Sequence, residues 1–277
     1  MTRLAQKLRP AIGILATLAV GIAATLTTVT TVHAHRAALK RCNADAVIAG
    51  TVCVDLYEAS VWRVPDPTTA NTLLVRSIQR GEATRADLVA AGAVELGTAG
   101  DDYGDCRDDG QQCADDIYAV SLPSEIPSAQ ITWFQAGEAC ANSGKRLPTS
   151  AEWQVAADGT PDPGPDDGVL DCNSTSGTRT RGGERAACVS ARGAFDMVGN
   201  VAEWTADWAP ASTTCPTWGS FSNDEMCLAG ASEDKTGPGV VIRGGWFSSG
   251  ALAGPLAVFG AAQPYHSSGN LGFRCVR

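Results

Sequence analysis

A chain of 277 residues, 44% hydrophobic and only 18% charged, with 30 Gly and 14 Pro, excludes a coiled coil, a collagen-like repeat and a long disordered acidic tail. It is long enough to bury a full core in one or two domains without staples, so its ten cysteines exceed what folding alone requires. The formal net charge is −9.

Arg3, Lys7 and Arg9 precede an almost uncharged run from Ala11 to Val32, the pattern of an export signal over residues 1–34 with a cleavage site at Val32-His33-Ala34. The run is also long enough to serve as an uncleaved membrane anchor, although its Thr-rich second half weakens that reading. Either way the remainder is expected to be extracytoplasmic: secreted, periplasmic or anchored at the envelope. Without the three basic leader residues, 18 basic residues face 30 acidic ones, a net charge of −12. Such a polyanion does not track nucleic-acid phosphates or anionic lipid, so membrane contact is expected only through an uncleaved N-terminal segment.

All ten cysteines follow the leader, and their spacing suggests oxidised pairs: Cys42 with Cys53, Cys106 with Cys113, Cys172 with Cys188, and Cys215 with Cys227. Cys140 and Cys275 are left, as the longest loop or as free thiols. No pair has a C-x-x-C spacing, which argues against zinc and thioredoxin chemistry.

After a linker over residues 35–49, Val52 to Tyr57 alternates as a strand, and Thr84 opens a short helix that Gly92 can end. Asp101, Asp102, Asp105, Asp108 and Asp109 keep no cation-loop register and read as a solvated face. Thr132 caps a helix to about Ser143, with Trp133, Ala136 and Cys140 on one face and Gly144 as its stop. Thr149 and Glu152 form a second capping box, followed by Trp153 and Ala157 on a buried stripe. Residues 158–193 are loop, and short strands follow at Val201 to Trp208, Val240 to Arg243 and Leu271 to Val276. The expectation is one irregular α+β domain over residues 50–277.

Four blocks carry a resemblance: Cys53 to Glu58 (CVDLYE), Gly144 to Trp153 (GKRLPTSAEW), Gly193 to Trp204 (GAFDMVGNVAEW), and Arg243-Gly244-Gly245 with Gly272-Phe273-Arg274-Cys275. In this order they resemble the formylglycine-generating enzyme, or sulfatase-modifying factor, family. The resemblance implies an irregular fold of the C-type-lectin kind and a disulfide between Cys140 and Cys275. It also implies calcium, with side-chain oxygens from Asp196 and Glu203 and backbone carbonyls from Gly199 and Val201, an oxygen set suited to a hard cation. A second calcium site maps to Asn173 and Ser174, without its later acidic ligand. The alternative for Asp196 and Glu203 is that they cap turns.

Oxidase members of that family hold copper(I) on two cysteines shortly after Arg-Gly-Gly. Aligned without gaps, those positions are Ser249 and Gly254, and Ala202 replaces a common tryptophan. A hydroxyl is a hard ligand and glycine offers none, so no copper is expected. After the leader the histidines are His35 and His266, too few for a non-haem iron triad. The segment from Trp246 to Gly269 mixes aromatics, small residues and hydroxyls, the composition of adaptable recognition surfaces. It also resembles the C-terminal segment of retroelement-diversified ligand-binding proteins. Trp246, Phe247, Ser248, Ser249, Tyr265 and His266 are the candidate ligand surface, whereas Leu252, Leu256, Val258 and Phe259 are expected in the core. The function expected is non-catalytic display of a surface for a protein or glycan ligand. The alternative is a formylglycine-generating-type oxidoreductase that modifies a protein through an unrecognised metal site.

Overall fold

The computed structural model describes residues 41–104, 106–112, 117–162, 166–209, 223–224, 226–227 and 239–277. The leader, Cys113, Asp105 and Cys215 lie outside these residues, as does the side chain of Cys227.

The described chain opens with a hairpin, β1 (Ala46–Ala49) and β2 (Val52–Asp55), stapled by Cys42–Cys53. This corrects the reading of residues 35–49 as linker throughout. Asp45 binds the buried ammonium of Lys145 and the Arg277 guanidinium, so the chain is tied into the fold before β1 begins. A three-stranded antiparallel sheet combines β3 (Ser60–Arg63), β4 (Val94–Leu96) and β5 (Ile117–Val120) in the order β4-β3-β5. Two helices, α1 (Thr72–Gln79) and α2 (Arg85–Ala90), bury Leu74, Ile78 and Leu88 against Trp62 and Tyr118 of that sheet.

Helices α3 (Trp133–Asn142) and α4 (Ser150–Ala156) begin where the sequence places their caps. Thr132 closes a box with Gln135, and Thr149 closes one with Glu152, each satisfying two backbone N–H groups that the first turn leaves without partners. Gly144 follows α3 with φ of +67°, a conformation that costs a residue with a Cβ.

The larger sheet holds β6 (Ala202–Ala209), β7 (Met226–Cys227), β8 (Gly239–Arg243), β9 (Val258–Ala262) and β10 (Leu271–Phe273) in the order β10-β6-β8-β9-β7. Side chains alternate between its faces. Ala202, Trp204, Ile242, Leu271 and Phe273 share the face covered by Ala136 and Ala139 of α3. Glu203 and Arg243 point the other way, where Trp153 of α4 accepts the Arg243 guanidinium over its ring at 4.7 Å and donates its indole N–H to Glu203.

The C-terminal segment locks the two ends of the described chain together. Cys53 and Arg277 exchange backbone hydrogen bonds, Asp55 N–H donates to Cys275 O, and Cys140–Cys275 joins α3 to the same C-terminal segment. Cys172–Cys188 staples the long loop, and Cys106 is also disulfide-bonded. Among the described residues no helix is long and apolar enough to cross a membrane.

Candidate functional site

Beneath the α4 face lies a buried ionic cluster. The Glu203 carboxylate accepts Arg274 Nε at 2.9 and 2.8 Å on its two oxygens, Arg274 Nη2 at 2.6 Å and Trp153 Nε1 at 2.8 Å. The single Nε hydrogen is shared by both oxygens, so three N–H donors meet a carboxylate that offers about four lone-pair sites and leave it little free acceptor capacity. The counter-charge that two converging carboxylates require is thus supplied by Arg274, itself fully buried. Glu203 does not fit the role of calcium ligand.

The neighbouring carboxylates differ. Glu58 accepts from Val201 N–H at 3.0 Å and from Asn200 Nδ2 at 2.5 Å, while burial, with Asp196 and Glu203 nearby, pushes its pKa well above the usual carboxylate value. Asp196 stands at φ of +55° and accepts Gly183 N–H on one oxygen at 2.7 Å; burial lifts its pKa to about 7. Its other oxygen, Asn173 Oδ1 and Ser174 Oγ are buried without a hydrogen-bond partner. Each of these oxygens keeps free acceptor capacity of the kind a hard cation uses. No group of three His, Cys, Asp or Glu side chains able to hold a metal occurs among the described residues, so a cation at Asp196 would also need carbonyls such as those of Gly199 and Val201.

The two positions where the resemblance expects thiols lie beside a tight turn after β8. Ser249 Oγ accepts from Trp246 N–H at 3.0 Å, and Ser249 N–H donates to Trp246 O, so its hydroxyl holds the turn. Gly254 is buried, and a Cβ built there would overlap the Asp224 carboxylate, which accepts Leu256 N–H at 2.9 Å. Burial draws the Arg243 pKa down to about 10, and the nearby Asp224 carboxylate partly offsets this by favouring the cation. An acidic side chain therefore occupies the space that a second thiol would need.

On the opposite face of the same sheet a cleft of about 220 Å³ opens over four adjacent strands. Ala202, Ile242, Ala262 and Leu271 form its floor, and Trp246 and Phe259 bring aromatic rings to it. Gln263, His266, Ser268 and Asn270 come from the connection between β9 and β10. Of the expected ligand residues, Trp246 and His266 line this cleft, and Tyr265 is 57% exposed next to His266. Phe247 exchanges backbone bonds with Asn200 and Gly177, and Ser248 is exposed on the turn. Val258 is buried as expected, but Leu252 is 51% exposed because it ends a 3-10 turn, Gly250–Leu252, that leads away from the core.

Sequence reasoning left Glu58, Asn200, Asp224 and Arg274 without roles. Glu58 and Arg274 lie in the quoted blocks, but their partners are distant in sequence, and Asp224 carries no local signal.

Residues 98–277 match the Sulfatase-modifying factor enzyme 1-like domain family. The chain is 31% identical over 181 residues to a formylglycine-generating enzyme of Streptomyces coelicolor, covering 54% of this chain and 52% of that protein. It is 31% identical over 169 residues to the inactive C-alpha-formylglycine-generating enzyme 2 of Mus musculus, covering 55% and 49%. The chain thus spans about half the length of each curated relative. Among solved structures, the Major Tropism Determinant I1 variant overlaps at 18% identity with TM-score 0.47, covering 87% of this chain and 53% of that one. PvdO from Pseudomonas aeruginosa overlaps at 20% with TM-score 0.38, covering 82% and 80%. Both scores are too low to bear on function.

Proposed function

We propose a function on one premise: this chain belongs to the sulfatase-modifying factor enzyme 1-like domain family. It acts as an exported member that has given up copper-dependent oxidation and binds a protein or glycan ligand through the face from Trp246 to His266. The observation that carries this reading is the pair of altered positions. Ser249 holds a turn, and the space above Gly254 is taken by Asp224, while an aromatic-walled cleft opens on the adjoining face. A soft metal ion needs soft sulfur ligands, and neither position offers one. Disulfides in the described residues fit an oxidising compartment. A structural calcium ion would draw on Asp196 and a second one on Asn173 and Ser174, whereas Glu203 is already paired with Arg274.

Two measurements test the reading. Purified protein is assayed for copper and for conversion of a cysteine-containing sulfatase peptide to formylglycine; neither stoichiometric copper nor product is expected, and finding both would overturn the proposal. In parallel the protein is screened on glycan arrays and displayed peptide libraries. Ligands so captured should be lost by Tyr265→Ala with no change in melting temperature, because that ring projects into solvent.

A further inference from the structure

On the reading that the Trp246 to His266 face binds ligand, we infer that its cleft is a socket for one aromatic side chain of a protein partner. The floor and the walls point to the same occupant. Ala202 on β6 and Ala262 on β9 place methyl groups where larger side chains would fill the space, so the depth of the cleft comes from small residues on the two strands that flank β8. Its volume of about 220 Å³ is below the roughly 300–1,000 Å³ of sites that enclose whole small molecules. One ring-bearing side chain is the matching size.

The walls select for a ring. Trp246 and Phe259 are each partly buried on the core and partly open to the cleft, and aromatic groups gain from offset or edge contacts with other aromatic groups. A sugar is disfavoured, because hydroxyls entering the slot would leave water for a floor of Ala, Ile and Leu that offers them no hydrogen bonds. A charged side chain is disfavoured too, since among the described residues no Asp, Glu, Lys or Arg lines the cleft to compensate its desolvation. The polar groups sit to one side: His266 is exposed, and Gln263, Ser268 and Asn270 are half-buried. They are placed to meet the partner's backbone once its ring is seated. A desolvated aromatic anchor within a polar surround is the arrangement that dominates protein–protein interfaces.

The test uses the oxidised full-length protein and capped amino acids as probes. N-acetyl-tryptophanamide and N-acetyl-phenylalaninamide are titrated against N-acetyl-alaninamide and methyl glucoside, with calorimetry and the Trp246 indole NMR signal as readouts. Saturable binding of the aromatic amides is expected, at least about tenfold tighter than the alanine amide. Ala202→Phe, which fills the floor, should weaken it by at least about tenfold. Should that variant fail to fold, Phe259→Ala removes a wall at a partly exposed position and should abolish the preference for aromatic probes. Preference for methyl glucoside, equal binding of the alanine amide, or wild-type affinity in the variants would overturn the socket. Ligand capture that depends on Tyr265 without any binding of aromatic amides would leave the face reading standing and remove the socket alone.

Discussion

Glu203 spends most of its acceptor capacity on Arg274 and Trp153, which leaves Asp196 and Glu58 as the carboxylates of this cluster whose pKa burial raises although Arg274 lies near. With Asp196 lifted to about 7 from an unfolded value near 4, the folded protein holds more protons than the unfolded one between those limits. Stability therefore falls as pH rises through that window. The melting temperature should drop from pH 5 to pH 8 and Asp196→Asn should flatten the profile; an unchanged slope in that variant would assign it elsewhere. Added calcium should raise the melting temperature at pH 8 in the parent and not in Asp196→Asn. A second residue-scale prediction concerns Asp224. Ser249→Cys with Gly254→Cys should retain no copper(I) after gel filtration, because the second thiol has no space; adding Asp224→Ala should open it. Copper held by the double variant would contradict the steric argument.

At the scale of elements, what could be read in advance followed local chemistry. The helices α2, α3 and α4 announce themselves because Thr84, Thr132 and Thr149 each close a capping box within three residues. Helix α1 has no such signal: Asn71 stands at its N-cap without a side-chain cap bond and instead donates to Pro65 O. Strands β3 and β5 are four residues long and buried along most or all of their length, too short and too apolar for an alternating pattern to show. Strand β9 hides in a Gly- and Ala-rich stretch because its cross-strand partners, not its composition, decide its state. The caps allow a direct measurement. Thr149→Ala should cost about 1 kcal/mol, read by urea unfolding, since Glu152 N–H loses its acceptor. A loss near zero would mean that the Arg146–Glu152 pair, which holds the Glu152 pKa down to about 2, fixes the first turn without the threonine.

The candidate site becomes visible only at the scale of the whole molecule, because its parts are brought together by the C-terminal segment. Arg274 reaches Glu203, Cys275 N–H donates to the Asp55 carboxylate, and Leu271 forms the cleft floor beside Ala202, contacts no local pattern specifies. Tyr265 and Trp246 could be read from composition, whereas the cleft between strands required the sheet order. The Cys140–Cys275 bond closes a separation of 135 residues and fixes this segment against α3. By loop-closure entropy its removal costs up to about 5 kcal/mol, the largest contribution expected of any bridge described. Replacing both cysteines by Ala should lower the melting temperature more than the same change at Cys172 and Cys188, whose loop spans 16 residues. Affinity for the cleft probes should fall in the first variant and persist in the second. Leu271 lies four residues from Cys275 on β10, while the Cys172–Cys188 bridge contributes no cleft residue. Equal thermal losses in the two variants would show that the C-terminal strand is held by its backbone ladder to Cys53 and Asp55 without help from the cross-link.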